Sequence, residues 1–587
     1  MGRRISRGEW LAFAAVILAF VLIRLPLFRE PGLRLGWHSD AAAFGLIARD
    51  LYEGVPRLFW YGQSYMGMLT SAFGALAGII LMPFGVEPAV GPLALRLGTA
   101  IQWVLMMLLY WLGMRIAFGP AVALVTALLL TTGPDWFFHS QLAPRGGEML
   151  LFLSAAVFAL SVQGLARRRD WLLLGFLAGI GWWMHQGVIF AVGAALLVVV
   201  LRSRAWAIAR RERVGPDHTL FMSGAPFALR LVNVILLGLV AAAIVREFVP
   251  RFPAFFLYHA VAEALAAWIA FRAVVALVRN EAIRDAIRHL VQNRAHWLPH
   301  AALFVFGALA GYAPVIVGKL AGMEEGTYGF SAPLQSPREI VAQTLRVARS
   351  DFWLLIGAAA TPLGIVTTTA LLVLLAAHIV RERRHALRGP RSIAGATILL
   401  CAVFYVVSSR AYEGAVRYIM PALPMMFAFA VAEAEVWWRE GGRGMRALGA
   451  AAVLALTLGY TLQSTDLVRD LAAGRAEGRF FTGAGFSSGP AFDPRPVLAA
   501  IEHGGYEVCY ADYNIAMMLE WLLDRRVRFL SYNSVEPRRE LAQRLAALPV
   551  RKCFVDGHGN VQPWDPRMHD TTIGRTAQER LRRLRGQ

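Results

Sequence analysis

The sequence predicts a polytopic α-helical membrane protein that ends in a small α/β domain. Three observations carry this. Apolar residues make up 57% of the 587 and charged residues only 17%, with a mean hydropathy of +0.50; a soluble chain of this length carries far more charge. Apolar runs of about 18 residues, enough to cross a bilayer core as a helix, recur between residues 10 and 462. Beyond residue 493 the runs shorten, and strand-like segments alternate with helix-like ones.

The net charge of +20 does not point to nucleic acid. Most arginines stand in short clusters between apolar runs, where they set orientation and meet anionic lipid headgroups. Lys319 and Lys552 are the only lysines. The first apolar run, Trp10 to Phe28, follows a basic start and ends Arg24-Leu-Pro-Leu-Phe28 with no small-residue cleavage site. It reads as a retained first helix with its N-terminus in the cytoplasm.

The candidate spans are 10–28, 94–114, 119–133, 148–165, 171–187, 188–201, 228–246, 254–278, 299–318, 353–380, 394–409, 419–437 and 447–462. The run 66–86 is apolar too, but Gly-rich and broken by Pro83. Counting it as a span would turn the clusters at 167–169, 202–213, 381–391 and 439–446 outward, against the positive-inside rule. It is therefore taken as an interfacial helix in a first outer loop, 29–93. This leaves 13 spans, the N-terminus inside and the C-terminus outside. The pair 228–278 carries Arg230, Glu263 and Arg272 and is the weakest hairpin, but its presence does not change parity.

The chain divides into a transmembrane domain, 1–462, a Gly/Ser-containing linker, 463–492, and an outer α/β domain with a basic tail, 493–587. In the last part, Asp493-Pro494 starts a helix. Residues 506–510, 526–530 and 552–555 read as strands, and 515–523 and 537–548 as helices. Cys509 and Cys553 fall in two of the strands. A disulfide requires those strands to be neighbours, and two buried thiols are the expectation preferred here.

This sidedness gathers five polar segments on the outer face: the first loop with Asp40, Pro134 to Glu148, Trp182 to Gln186, Lys319 to Asp351, and Arg410 to Tyr418. Ionisable residues at membrane depth are costly and raise functional hypotheses. Asp40 follows Trp37-His38-Ser39 just before a short helix, so Ser39 or Asp40 can cap that helix; the other reading makes Asp40 a base. Glu148 opens the span 148–165, where a helix N-terminus also favours negative charge.

Several segments resemble a known family. Asp40-Ala-Ala-Ala-Phe-Gly-Leu-Ile-Ala-Arg49 is similar to the first-loop signature of GT-C membrane glycosyltransferases, which include the protein O-mannosyltransferases and the lipid A aminoarabinose transferases. Tyr61-Gly-Gln-Ser-Tyr-Met-Gly67, Arg145-Gly-Gly-Glu148, Gly181-Trp-Trp-Met-His185, Arg417-Tyr-Ile-Met-Pro421 and Tyr510-Ala-Asp-Tyr513 look like segments of a bacterial branch. The resemblance covers most of the chain, and 228–278 matches least. One departure stands out: the family's usual Glu after the Asp is Ala41 here.

The resemblance implies an inverting transfer of a sugar, hexosyl or pentosyl, from a polyprenyl-phosphate donor to a lipid, glycan or protein acceptor. It places the reaction at the outer face of a bacterial cytoplasmic membrane, facing the periplasm and cell envelope. Such chemistry needs a base for the acceptor hydroxyl and cations for the leaving phosphate. Asp40 and Glu148 are the catalytic candidates. Arg145, Lys319 and Arg417 are candidates for the phosphate, with Arg410 and Glu413 as possible neighbours of Arg417. Tyr61, Gln63, Tyr65, His185 and Tyr418 are candidates for substrate contacts, although aromatics near a membrane surface also form the ordinary aromatic belt, the preferred reading for Trp182 and Trp183. His139 is weaker. No cofactor is expected and nothing has metal-ligand spacing, with Asp40, Glu148 and His185 as the ligand set if a divalent metal is used. The alternative function is a transporter or flippase of lipid-linked sugars, which would show internal repeats and mid-span charges, neither of which stands out. A catalytically inactive scaffold is a third reading, kept open by Ala41.

Overall fold

The structure is a computed structural model. It describes residues 5–29, 37–55, 57–59, 67–86, 90–199, 294–321, 337–347, 351–357, 362–382, 391–407, 416–473, 494–511, 513–523, 526–531, 549–555 and 560–563. The expectations for Tyr61, Gln63, Tyr65, the hairpin 228–278, the cluster 202–213, Arg410, Glu413, the helix 537–548 and the basic tail lie outside the described residues.

The first helix, α1 (Arg7–Arg24), starts at a capping box in which Ser6 and Glu9 bond each other's backbone N–H. Glu9 also pairs with Arg115 at 2.8 Å, tying α1 to α4 (Pro92–Ala117). Leu25–Phe28 continue α1 as a 3-10 turn. Between α1 and α4 lie α2 (Ser39–Tyr52) and α3 (Leu69–Leu81). Met82–Phe84 continue α3 as a 3-10 turn, and the apolar run Leu69–Phe84 stays shorter than the about 20 residues that cross a hydrocarbon core. Its glycine content has a packing cause. A Cβ on Gly74 would press on Ala48 of α2, and a Cβ on Gly98 of α4 would strike the Phe73 carbonyl.

Next come α5 (Pro120–Thr131), α6 (Asp135–Ser140), α7 (Gly147–Ser161), α8 (Arg168–Met184) and α9 (Val188–Val199). Helices α5 and α7 end before the predicted spans 119–133 and 148–165 do, with left-handed glycines following them: Gly133 (φ 71°) after α5 and Gly164 (φ 100°) after α7. After the stretch 200–293 follow α10 (Arg294–Leu320), α11 (Pro337–Arg346), α12 (Pro362–Glu382), α13 (Arg391–Val407), α14 (Ala422–Glu440) and α15 (Arg443–Ala472). The predicted span 353–380 is divided: Phe352–Leu355 form one turn, Gly357 takes φ 69°, and α12 starts only at Pro362. Helix α15 runs ten residues past the predicted span end at 462.

Among the described residues, five helices are long and apolar enough to cross a membrane: α1 with its 3-10 extension, α4, α10, α12 and α15. Their exposed faces are apolar, for example Leu18, Leu22, Phe306, Leu309, Val366 and Leu458, as a lipid-facing surface requires. Helix α14 is the hub. Nearly all of its first twelve residues are buried, among α5, α12, α13 and α15. On it Glu433 accepts bonds from Arg381 (2.9 Å), Trp437 (2.8 Å) and His378 (3.2 Å), so this buried carboxylate is fully partnered.

The C-terminal part holds α16 (Pro494–Gly504), β1 (Val508–Ala511), α17 (Tyr513–Leu522), β2 (Arg528–Ser531), β3 (Lys552–Val555) and β4 (Val561–Pro563). The sheet order is β2-β1-β3-β4, parallel across the first three strands and antiparallel at β4. The expectation of two thiols is corrected here. Cys509 and Cys553 are register partners on β1 and β3, their Cα atoms 4.4 Å apart, and they form a disulfide.

Candidate active site

Helix α2 presents Asp40 because another residue caps the helix. The backbone turns into α2 at His38, whose Nδ1 accepts the Ala41 N–H at 3.2 Å. With Nδ1 accepting, Nε2 carries the proton and donates to the Ala143 carbonyl at 3.4 Å. Neither Ser39 nor Asp40 is the N-cap, so that expectation is corrected. Burial lowers the His38 pKa well below the usual 6.5, and the charges of Arg145, His139 and Arg417 push it the same way. Only the bond to Ala143 opposes them.

Asp40 lies one residue into the helix, and its carboxylate accepts from Arg417 Nη1 at 3.0 Å, with both side chains 25% exposed. Arg417 sits on a 3-10 turn, Val416–Ile419, just ahead of α14. The same Nη1 donates to the Arg145 carbonyl at 3.2 Å, and Nη2 donates to the Tyr418 hydroxyl at 3.4 Å. This turn approaches α7 closely because residue 147 is glycine: a Cβ there would stand 3.2 Å from both Arg417 Cβ and Met420 Sδ.

Glu148 lies behind this pair, 2% exposed. Its carboxylate accepts from the backbone N–H of Arg145 (3.0 Å) and Gly146 (2.9 Å) and from the Thr70 hydroxyl (3.2 Å). It therefore fixes the turn ahead of its own helix, the turn whose Arg145 carbonyl receives Arg417. Thr70 also reaches Gln102 Oε1 at 3.0 Å, so Thr70 and Gln102 back Glu148. His185 ends α8 in extended conformation, accepts the Gly187 N–H at 3.2 Å, and its ring stands 5.8 Å from that of Tyr418.

The predicted residues thus fall into three sets. Asp40, Arg145, Glu148, Arg417, Tyr418 and His185 converge. Lys319 is exposed in the last turn of α10, a helix that supplies none of these six residues. Tyr61, Gln63 and Tyr65 lie outside the described residues. Asp40, Glu148 and His185 do not form a metal-binding group; among the described residues no three His, Cys, Asp or Glu side chains do. Sequence reasoning passed over His38, Thr70 and Gln102. His38 carried a signal, being beside Asp40, whereas Thr70 and Gln102 belong to apolar helices and reveal themselves only through packing.

The family described as dolichyl-phosphate-mannose-protein mannosyltransferase matches residues 89–214, the stretch that includes Gln102, Arg145, Glu148 and His185. The chain resembles the GT-C membrane glycosyltransferases. Among solved structures, the aminoarabinose transferase ArnT from Cupriavidus metallidurans bound to undecaprenyl phosphate aligns at 14% identity and TM-score 0.43, covering 94% of each chain. The same protein in its apo state aligns at 13% and 0.45, covering 90% of this chain and 86% of the other. The Archaeoglobus fulgidus oligosaccharyltransferase AglB, complexed with an inhibitory peptide and a dolichol-phosphate, aligns at 13% and 0.45 over 89% of this chain. The chain spans 64% of that protein's length. No curated protein matches the chain.

Proposed function

We propose that the protein is a glycosyltransferase that moves a hexosyl or pentosyl group from a polyprenyl-phosphate donor to a lipid, glycan or protein acceptor. The reaction takes place at the outer face of a bacterial cytoplasmic membrane, with 13 spans and the C-terminal α/β unit outside. The observation that carries this reading is the meeting of Asp40 and Arg417 at 3.0 Å, although 377 residues separate them. One is a carboxylate suited to take a proton, the other a guanidinium suited to hold a phosphate. Both remain partly open to solvent.

Asp40 removes the proton of the acceptor hydroxyl as its oxygen attacks the anomeric carbon. The bond to the phosphate oxygen breaks on the opposite side, so the configuration inverts. Polyprenyl phosphate leaves with the electron pair. Arg417 has five N–H donors in one planar fork, enough to orient Asp40 and to neutralise the leaving phosphate. Tyr418 and His185 line the approach. Arg145 contributes through its carbonyl, and Glu148 acts through the Arg145–Gly146 turn rather than by touching substrate.

Purified protein supplied with a panel of polyprenyl-phosphate sugars and membrane extract tests the reading through donor consumption. Loss of a general base costs about 10²–10⁴-fold, so Asp40→Asn is expected to lose that much turnover. Arg417→Ala is expected to fall comparably. Unchanged turnover in Asp40→Asn would remove Asp40 from the base role.

A further inference from the structure

Helix α17 of the C-terminal unit lies across the back of α2. Its Met517, Met518 and Trp521 are buried in one cluster with Trp37, Ala41–Ala43, Phe44, Leu46 and Ile47 of the α2 region. The Trp521 indole meets Trp37 edge-on, ring centres 4.8 Å apart at 88°. It also lies against Gly45, where any added Cβ would overlap the indole. The same cluster takes in Ala143 and Met149, so it borders Asp40 through Ala41 and Glu148 through Met149. The base of α17 is fixed by β1, which the Cys509–Cys553 disulfide ties to β3. No other element in this cluster comes from so far along the chain.

We propose that Trp521 is a positioning residue for transfer: the C-terminal unit holds α2, and through it Asp40, in register with Arg417 by seating this indole on Gly45. This rests on the transferase reading above. Helix α2 begins at Asp40's own turn, so the placement of Asp40 depends on what packs against the faces of this helix. One face meets α3 and α4, and α17 covers the other. A displacement of about 1 Å at a reacting group can cost 10²-fold in rate, so a clasp one to two turns from Asp40 controls chemistry without touching substrate.

The test compares Gly45→Ala, Trp521→Leu and the double variant Gly45→Ala/Trp521→Leu, each checked for monodispersity and melting temperature. Two readouts are taken. The first is labelling of an Asp40→Cys variant by a membrane-impermeant maleimide, which does not depend on turnover. The background is clean, because Cys401 is buried and Cys509 and Cys553 are disulfide-bonded. The second is donor consumption with Asp40 intact. Gly45→Ala is expected to change the labelling rate several-fold and to lower kcat by about 10–100-fold, with KM for the donor within about twofold. The double variant is expected to regain about tenfold over Gly45→Ala, because the smaller side chain removes the overlap. A merely structural role would lower melting temperature without this recovery. Labelling identical in all backgrounds, or a double variant no better than Gly45→Ala, would overturn the clasp while transfer by the wild-type protein stood. Altered labelling with no transfer by the wild-type protein would instead overturn the transferase reading, and with it the role in transfer. If Gly45→Ala does not fold, Trp521→Leu read against Trp521→Phe decides: the clasp predicts faster labelling and lower kcat for Leu, with Phe close to wild type.

Discussion

His38 sits between two demands, to cap α2 through Nδ1 and to stay uncharged beneath Arg145, His139 and Arg417. Its folded pKa is depressed, so between that value and the ordinary 6.5 the unfolded chain binds a proton that the folded chain refuses. Stability from this residue is therefore fully present above pH 6.5 and falls as pH drops below it, by up to about 1.4 kcal/mol per pH unit. Melting of purified protein at pH 7.5 and 5.5 is expected to show the drop. His38→Asn keeps an acceptor at the cap and removes the titration, so its melting temperature is expected to change less over the same window. Equal slopes in both proteins would contradict this account of His38. The first-loop acid was legible in the sequence as a choice between cap and base. That the His38 imidazole takes the cap was not legible, because Ser, Asp and Asn are the residues preferred at that position.

At the scale of elements, α8 and α10 pack backbone against backbone. Gly175 and Gly179 of α8 lie against the Phe304 and Ala308 carbonyls, and Gly307 and Gly311 of α10 lie against the Leu172 and Phe176 carbonyls. Each helix thus sets two glycines, four residues apart, on the backbone of the other. In a bilayer, where apolar side chains gain nothing by leaving lipid, such close approach is a main source of association. Gly179→Leu is expected to lower the melting temperature and to cost about 1–3 kcal/mol or more, since the pair must separate. Unchanged melting would show that the helices pack differently. The sequence carried these helices as apolar runs, but not their pairing, because α10 follows α9 by almost a hundred residues. It also overran the ends of α5, α7 and α12, where hydropathy continues but Gly133, Gly164 and Gly357 take left-handed backbone. Strands β1, β2 and β3 and the helix between β1 and β2 were legible, whereas β4, only three residues long, was not.

For the whole molecule, the folding of the C-terminal unit onto α2 couples two parts that the sequence separates by a linker. The disulfide belongs to this scale. Facing positions on neighbouring parallel strands, not cysteine spacing, bring Cys509 to Cys553, so sequence alone left the pair open. A Cys509→Ser/Cys553→Ser variant is expected to lose about 2–4 kcal/mol in the stability of this unit. Hydrogen exchange of peptides covering 508–511 and 552–555 reads that loss; unchanged protection would contradict it.

The proposed transfer brings Asp40 and Arg417 together from the two ends of the transmembrane part to move a sugar by a single displacement. The most direct measurement is NMR of the product made by the purified protein from a polyprenyl-phosphate sugar of defined anomeric configuration. The account predicts a new glycosidic bond of the opposite configuration, formed by the wild-type protein and lost in Asp40→Asn. A product of retained configuration, or movement of the donor across a vesicle bilayer with no product at all, would contradict it.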